Sequence, residues 1–285
     1  MSKFFNETRK AQDWSSQQAR PEGLDISRVM QAIQEPLTAL KASKEASLSA
    51  CRKWRLPESS ASPALYPKND LPNVAAESYR TLRTRVLRLQ SQKGFRSLVV
   101  SSAVPGEGKT MTTLNLALCC AQLSQLRILA VDGDLRSSGL TFALGHAPSP
   151  GLGEILTGES TFEGAVLATD VPNLYVLGAG SSVASASGLY SGDRWKEFVA
   201  WSTENFDLIL VDSPPILPLA DFEQIAGACD AVLVVVRALH AQRDSLKKAA
   251  GLVDAQKLIG VVLNASPQDR TDVSYNYYAA YGSRG

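Results

Sequence analysis

Apolar residues fall along this chain in two alternating kinds of segment. Short runs at 97–101, 128–131, 174–177, 208–211, 231–236 and 258–263 are continuously apolar, apart from the serines that flank the first and a glycine in the last, and most are rich in Val, Ile and Leu. Between most of them lie stretches in which apolar residues recur at helical spacing: 113–123, 195–203, 222–228 and 245–253. Strands that are apolar on both faces and separated by helices predict a mainly parallel sheet with helices on both faces, an α/β fold. A longer helix is predicted over 74–92, where Tyr79, Leu82, Val86 and Leu89 would share one buried face. No internal repeat is visible.

Outside this region the pattern weakens. Residues 1–56 are polar, with Leu24, Ile26, Val29, Ile33, Leu37 and Leu40 in an irregular helical pattern that predicts a helix or two, loosely attached. Pro57, Pro63, Pro67 and Pro72, interleaved with Ser and Ala, cannot sustain a helix, so 57–73 reads as a linker. The main domain then spans 74–266, and 267–285 forms a tail.

Composition narrows the class. The 285 residues are 45% hydrophobic and 20% charged, the balance of an ordinary globular protein, and the formal net charge of +1 gives no global pull toward nucleic acid or an anionic membrane. No run approaches the length needed to cross a bilayer, and no secretory signal opens the chain, so the expected location is the cytoplasm. Cys51, Cys119, Cys120 and Cys229 show no metal-ligand spacing, and His146 and His240 stand alone. Small core residues in a reducing setting are the plain reading of the cysteines.

Chemistry enters at Ala103–Thr110. Gly108, Lys109 and Thr110 close a GxxxxGK[ST] pattern, with Ala103 in place of its first glycine. A strand leads in and a helix leads out, the context that lets backbone N–H groups surround a phosphate at a helix N-terminus. Pro105, Gly106, Glu107, Gly108, Lys109, Thr110 and Met111 are therefore the expected ATP-binding set, with Lys109 bridging the β- and γ-phosphates and Thr110 offering its hydroxyl to Mg2+. Asp132 and Asp134 follow one buried strand and Asp212 follows another. An aspartate after a strand is by itself an ordinary turn residue. Three of them at strand C-termini beside a phosphate loop instead predict a magnesium site and a proton acceptor. At the far end, Tyr275, Tyr277, Tyr278 and Tyr281 lie among Asn, Ala, Gly and Ser. They read either as a docking tail or as phenols presented to an active site.

Together these residues resemble the bacterial tyrosine kinases, autokinases of capsule and exopolysaccharide export built on a P-loop NTPase-like fold. Pro105 to Thr110 is similar to that family's Walker A motif, Val131 to Arg136 to its A′ motif and Val211 to Pro215 to its Walker B motif. Glu77, Arg80 and Arg83 resemble its ExxRxxR oligomerisation motif, predicted to form a charged stripe facing away from Tyr79, Leu82 and Val86. Alone, such a stripe is a solvated helix face or a basic patch. The resemblance implies transfer of the γ-phosphoryl of ATP to the tail tyrosines of a neighbouring subunit in a ring-like homo-oligomer. It implies catalytic roles for Lys109, Asp132, Asp134 and Asp212, with Asp132 as proton acceptor, and Thr110, Asp134 and Asp212 around the metal. The implied partners are a separate membrane-embedded chain-length determinant or co-polymerase, which would recruit the protein to the inner face of the membrane, and a tyrosine phosphatase. No specific nucleic acid is implied. The chain departs from the pattern at 181–191, where many relatives carry a Pro-Asn-Pro-Ser-Glu-Leu-Leu-like stretch.

Two other readings share the fold. One is a partitioning or septum-positioning ATPase, although the lysine that marks such proteins five residues before the loop lysine is here Val104. The other is a non-catalytic ATP-binding regulatory subunit of an export complex.

Overall fold

In a computed structural model, the chain divides into two compact units, Met1–Ser47 and Leu48–Gly285. The described residues, 48–57, 74–145, 149–181, 188–217 and 220–266, all belong to the second. The helical pattern at 24–40, most of the linker, His146 and the four tail tyrosines lie outside the described residues.

The second unit is built on a sheet of eight strands: β1 (Arg52–Trp54), β2 (Ser97–Ser102), β3 (Ile128–Asp132), β4 (Leu167–Thr169), β5 (Leu174–Leu177), β6 (Leu208–Asp212), β7 (Ala231–Arg237) and β8 (Leu258–Asn264). Their spatial order is β1-β4-β5-β3-β6-β2-β7-β8, and every pairing is parallel except β4 with β5. The helices are α1 (Val74–Lys93), α2 (Lys109–Ala121), α3 (Gly139–Ala143), α4 (Leu152–Thr157), α5 (Phe162–Ala165), α6 (Asp193–Asn205), α7 (Asp221–Ala228) and α8 (Arg243–Leu252).

The continuous apolar runs have a direct cause. Alternate strand residues point to opposite faces, and both faces of the central strands are buried. Leu98, Ile128, Ala130, Leu208 and Leu210 pack with Val86 of α1 and Leu114, Leu116 and Ala117 of α2. Val99, Leu129, Val131, Ile209 and Val211 pack on the other side with Trp195 and Phe198 of α6 and Phe222 and Ile225 of α7. Trp195, Phe198 and Phe206 are fully buried there, with Trp195 stacked on Phe198 at 5.8 Å. All four cysteines are free and buried.

One part of the sequence reading is changed. Residues 52–54 fall in the segment whose pattern predicts only loosely attached helix, yet they form β1, pairing with β4, while Leu48, Cys51 and Leu56 enter the core. A three-residue edge strand is too short for a period to show, and its partner lies more than a hundred residues away.

Candidate active site

The loop from Ala103 to Gly108 joins β2, whose six residues are all buried, to α2. Gly106 and Gly108 have φ of 81° and 92°, which favours glycine. Gly108 caps α2 without any side-chain hydrogen bond, leaving the first amides of the helix free to meet an anion.

This loop is braced from behind. Glu107 is fully buried, and its carboxylate accepts from the amide of Val104 at 3.0 Å and of Arg237 at 3.4 Å. Asn264 donates its side-chain amide to the Glu107 carbonyl at 2.9 Å. His240 Nε2 lies 3.0 Å from the Pro105 carbonyl, and Arg237 reaches that of Gly106 at 3.4 Å. The ends of β7 and β8 thus hold the loop's outer wall. Glu107 is a brace in this state rather than a group turned toward a phosphate. Val104 packs against the core.

The three aspartates converge as the topology requires. Asp132 and Asp212 are direct partners across β3 and β6, and β6 is also the neighbour of β2. Strand connections leave β2 and β6 in opposite directions, so the crevice beyond these C-termini is a topological switch point. Lys109 Nζ lies 3.0 Å from Asp134 Oδ2 and 3.8 Å from Asp212 Oδ1. Thr110 donates its hydroxyl to Asp212 Oδ2 at 2.7 Å. Pro105 and Gly106 are exposed and Met111 is half-buried, so the loop's mouth stays open to solvent.

Electrostatics separate the three carboxylates. Burial pushes Asp212 up to about 7, against the pull of Lys109. Burial works the same way on Asp134, but Lys109 and the bonds from Ser137 outweigh it and hold that carboxyl below its usual range. Asp132 is raised by burial despite its hydrogen bonds.

Asp132 is placed differently from expectation. It has no exposed surface, and both its oxygens are occupied: Oδ1 accepts from the Asp134 amide at 3.2 Å, and Oδ2 from the amide and hydroxyl of Thr141, each at 2.7 Å. Thr141 Oγ1 in turn accepts from the Ala179 amide at 2.7 Å. A phenol cannot reach Asp132 until Thr141 lets go.

The expected charged stripe departs from its predicted geometry at Arg83. Glu77 and Arg80 pair at 2.9 Å, but Arg83 turns inward and donates to the Cys119 carbonyl of α2 at 2.9 Å. Turning 100° per residue from Arg83 reaches Ala76 and Val86, both buried, so Arg83 sits at the edge of the packed face.

Sequence reasoning missed Thr141, Arg237, His240 and Asn264. Arg237 and Asn264 end parallel strands, so the rule that placed the three aspartates would have found them. Thr141 carried no such signal, and Arg136, which ends the A′ motif but had no role assigned, is half-exposed and forms a 3.0 Å ion pair with buried Asp221.

The residues fit a magnesium ion bound together with nucleotide. Asp212 Oδ1 is buried without a hydrogen-bond partner and stands beside the Thr110 hydroxyl and Lys109. Among the described residues no group of three or more His, Cys, Asp or Glu forms a ready metal cage. Mg2+ bound with a nucleotide takes one or two carboxylates and completes its shell with phosphate and water, a set of ligands that Asp134, Asp212 and the Thr110 hydroxyl could supply in part.

Comparison with known proteins agrees with this geometry. A family model described as an AAA domain matches residues 96–254. The tyrosine-protein kinase YwqD of Bacillus subtilis is 30% identical over 208 residues, which cover 72% of this chain and 87% of that protein. Among solved structures, the chimerical protein CapA2B2 superposes with a TM-score of 0.67 at 25% identity, covering 80% of this chain and 99% of its own. The BceF tyrosine kinase domain superposes with a TM-score of 0.62 at 28% identity, covering 81% and 89%. With a phosphate loop, strand-end aspartates and this degree of likeness, the chain belongs to the bacterial tyrosine-protein kinase family.

Proposed function

We propose that this protein is an ATP-dependent protein-tyrosine autokinase that phosphorylates its C-terminal tyrosines and thereby regulates exopolysaccharide or capsule polymerisation and export. The observation that carries the reading is the meeting of Lys109 with Asp134 and Asp212 beside Thr110, at the mouth of the phosphate loop. Phosphoryl transfer is chiefly positioning and charge neutralisation, and these groups supply both. The amides of Gly106 to Thr110 hold the β-phosphate, and Lys109 moves from Asp134 to bridge the β- and γ-phosphates. Thr110, Asp134 and Asp212 are the proposed ligands of Mg2+, which when bound would neutralise phosphate charge and orient the γ-phosphoryl. Asp132 takes the proton of the incoming phenol once Thr141 releases it, its raised proton affinity suiting that task.

The acceptors in this proposal are Tyr275, Tyr277, Tyr278 and Tyr281 of a neighbouring copy. Each phosphate would add roughly two negative charges to the tail, favouring release from a crowded assembly. Among the described residues no helix is long and apolar enough to cross a membrane. On the family resemblance, we place with the protein a membrane-embedded chain-length determinant, which recruits it to the inner membrane face, and a tyrosine phosphatase.

Purified protein incubated with ATP and Mg2+, alone and with the cytoplasmic end of such a membrane protein, tests the reading by intact mass and phosphate mapping. Phosphate on residues 275–281, absent in Lys109→Ala, is expected. Release of free phosphate with no modified tyrosine under either condition would replace the kinase by an ATPase.

A further inference from the structure

Tyr190 lies in a short 3-10 turn, Leu189–Ser191, inside the stretch where the sequence departs from the family pattern. It is 3% exposed, and its ring meets Trp195 edge-on at 5.4 Å. Its hydroxyl donates to the Gly133 carbonyl at 2.7 Å. Gly133 separates Asp132 from Asp134, so this bond falls within the carboxylate loop itself.

The backbone there is pinned at successive peptide units. The Gly133 amide donates to the Asp212 carbonyl at 2.7 Å, and an added Cβ at Gly133 would approach that same oxygen to 2.8 Å. The next unit carries the Gly133 carbonyl at one end and the Asp134 amide at the other. Tyr190 holds the first and Asp132 Oδ1 the second. With both ends fixed, the plane of this unit cannot rotate, and its orientation sets the direction in which the Asp134 side chain leaves the backbone. Burial and the surrounding aspartates keep the phenol protonated, so it remains a donor.

We propose that Tyr190 is a positioning residue for Asp134, aiming that carboxylate at the metal site through the Gly133 carbonyl. The inference rests on the reading of Asp134 as a magnesium ligand. It also gives the turn at Leu189–Ser191 a task in this chain: the anchor that orients the carboxylate loop comes from a turn that no nucleotide motif contains. A packing role alone would need the ring but not the hydroxyl.

Tyr190→Phe separates the two. Affinity for a fluorescent ADP is measured with Mg2+ and with a chelator, on the full chain, alongside thermal unfolding. The expected result is an unchanged affinity in chelator and a gain on adding Mg2+ about three- to tenfold smaller than in the unaltered protein, the scale of one hydrogen bond. Phe206→Leu, a core change remote from the loop, should lower the unfolding temperature and keep the full magnesium gain. An undiminished gain in Tyr190→Phe overturns the inference alone. Absence of any magnesium gain in the unaltered protein overturns the metal reading, and this inference with it.

Discussion

The ammonium of Lys109 and the carboxylate of Asp134 meet at 3.0 Å where the two side chains are only 11% and 5% exposed. In the proposed reading a nucleotide exchanges partners with this nearly sealed ion pair: its phosphates would take the lysine, and the released carboxylate would become available to the metal. On that reading, binding of nucleotide and readiness for metal would be linked through this contact.

The first prediction follows from that exchange. In Asp134→Asn, Lys109 no longer has its closest counter-charge, so ADP affinity in chelator should rise by about three- to tenfold. Transfer to tyrosine in Mg2+ should fall by at least about a hundredfold, the scale of losing one charge-stabilising group in a preorganised site. Fluorescence titration and phosphate mapping read the two effects, and a parallel fall in both would show that Asp134 does not compete for the lysine.

A second concerns acid. Burial alone would raise Glu154, but the hydroxyl of Ser149 at 2.6 Å and the amides of Gly151 at 2.8 Å and Ser181 at 2.9 Å hold it at about 2. A carboxyl with a depressed folded-state pKa contributes stability that is complete above its unfolded value of 4.5 and is lost as pH falls toward about 2. Solvent reaches this group, so the contribution is about 1 kcal/mol, far below what the shift alone would suggest. Glu154→Gln should be less stable at neutral pH and should lack that part of the decline between pH 4.5 and 2 in denaturant titrations. An identical decline in both proteins would assign it to other groups.

The phosphate loop supplies a third. Gly108 has φ of 92°, and an added Cβ would run into the side-chain amide of Asn264. Gly108→Ala should cost about 1–3 kcal/mol and weaken nucleotide binding together. Adding Asn264→Ala should relieve the clash but leave the backbone strain, so stability would return only in part. Full recovery in the double variant would mean that φ is unimportant here.

The fourth refines how assembly is tested. Because Arg83 donates to the Cys119 carbonyl, Arg83→Ala should destabilise the subunit itself by about 1.5 kcal/mol, the range for a bond from a charged donor. Arg80, paired with Glu77 on the helix surface, is the better probe, and Arg80→Ala should leave unfolding within about 0.5 kcal/mol. A smaller particle by light scattering for Arg80→Ala at unchanged stability would support an assembly role for the motif. Unchanged size would return this pair to a solvated helix face.

Much of the site was legible because it is local. A strand, a glycine turn, Lys109 and a helix must follow one another in the chain to cradle a phosphate, so their order is visible without tertiary information. The same holds for Asp132 and Asp212, each at the end of an apolar run that only a doubly covered strand would carry. The strand at 52–54 was not legible, since three residues at a sheet edge leave no period and their partner, 167–169, is remote in sequence.

The sequence by itself determined the alternation of buried strands and helices, the phosphate loop and the presence of aspartates at strand ends, because each depends on residue types at short spacing. Only the tertiary structure decided that Lys109 takes Asp134 as its nearest partner, that Thr141 closes off Asp132, that Arg83 faces inward and that Tyr190 reaches Gly133. Those relations depend on strand register and on loops that meet across 9 to 57 positions of chain, distances over which no local pattern constrains which side chain finds which.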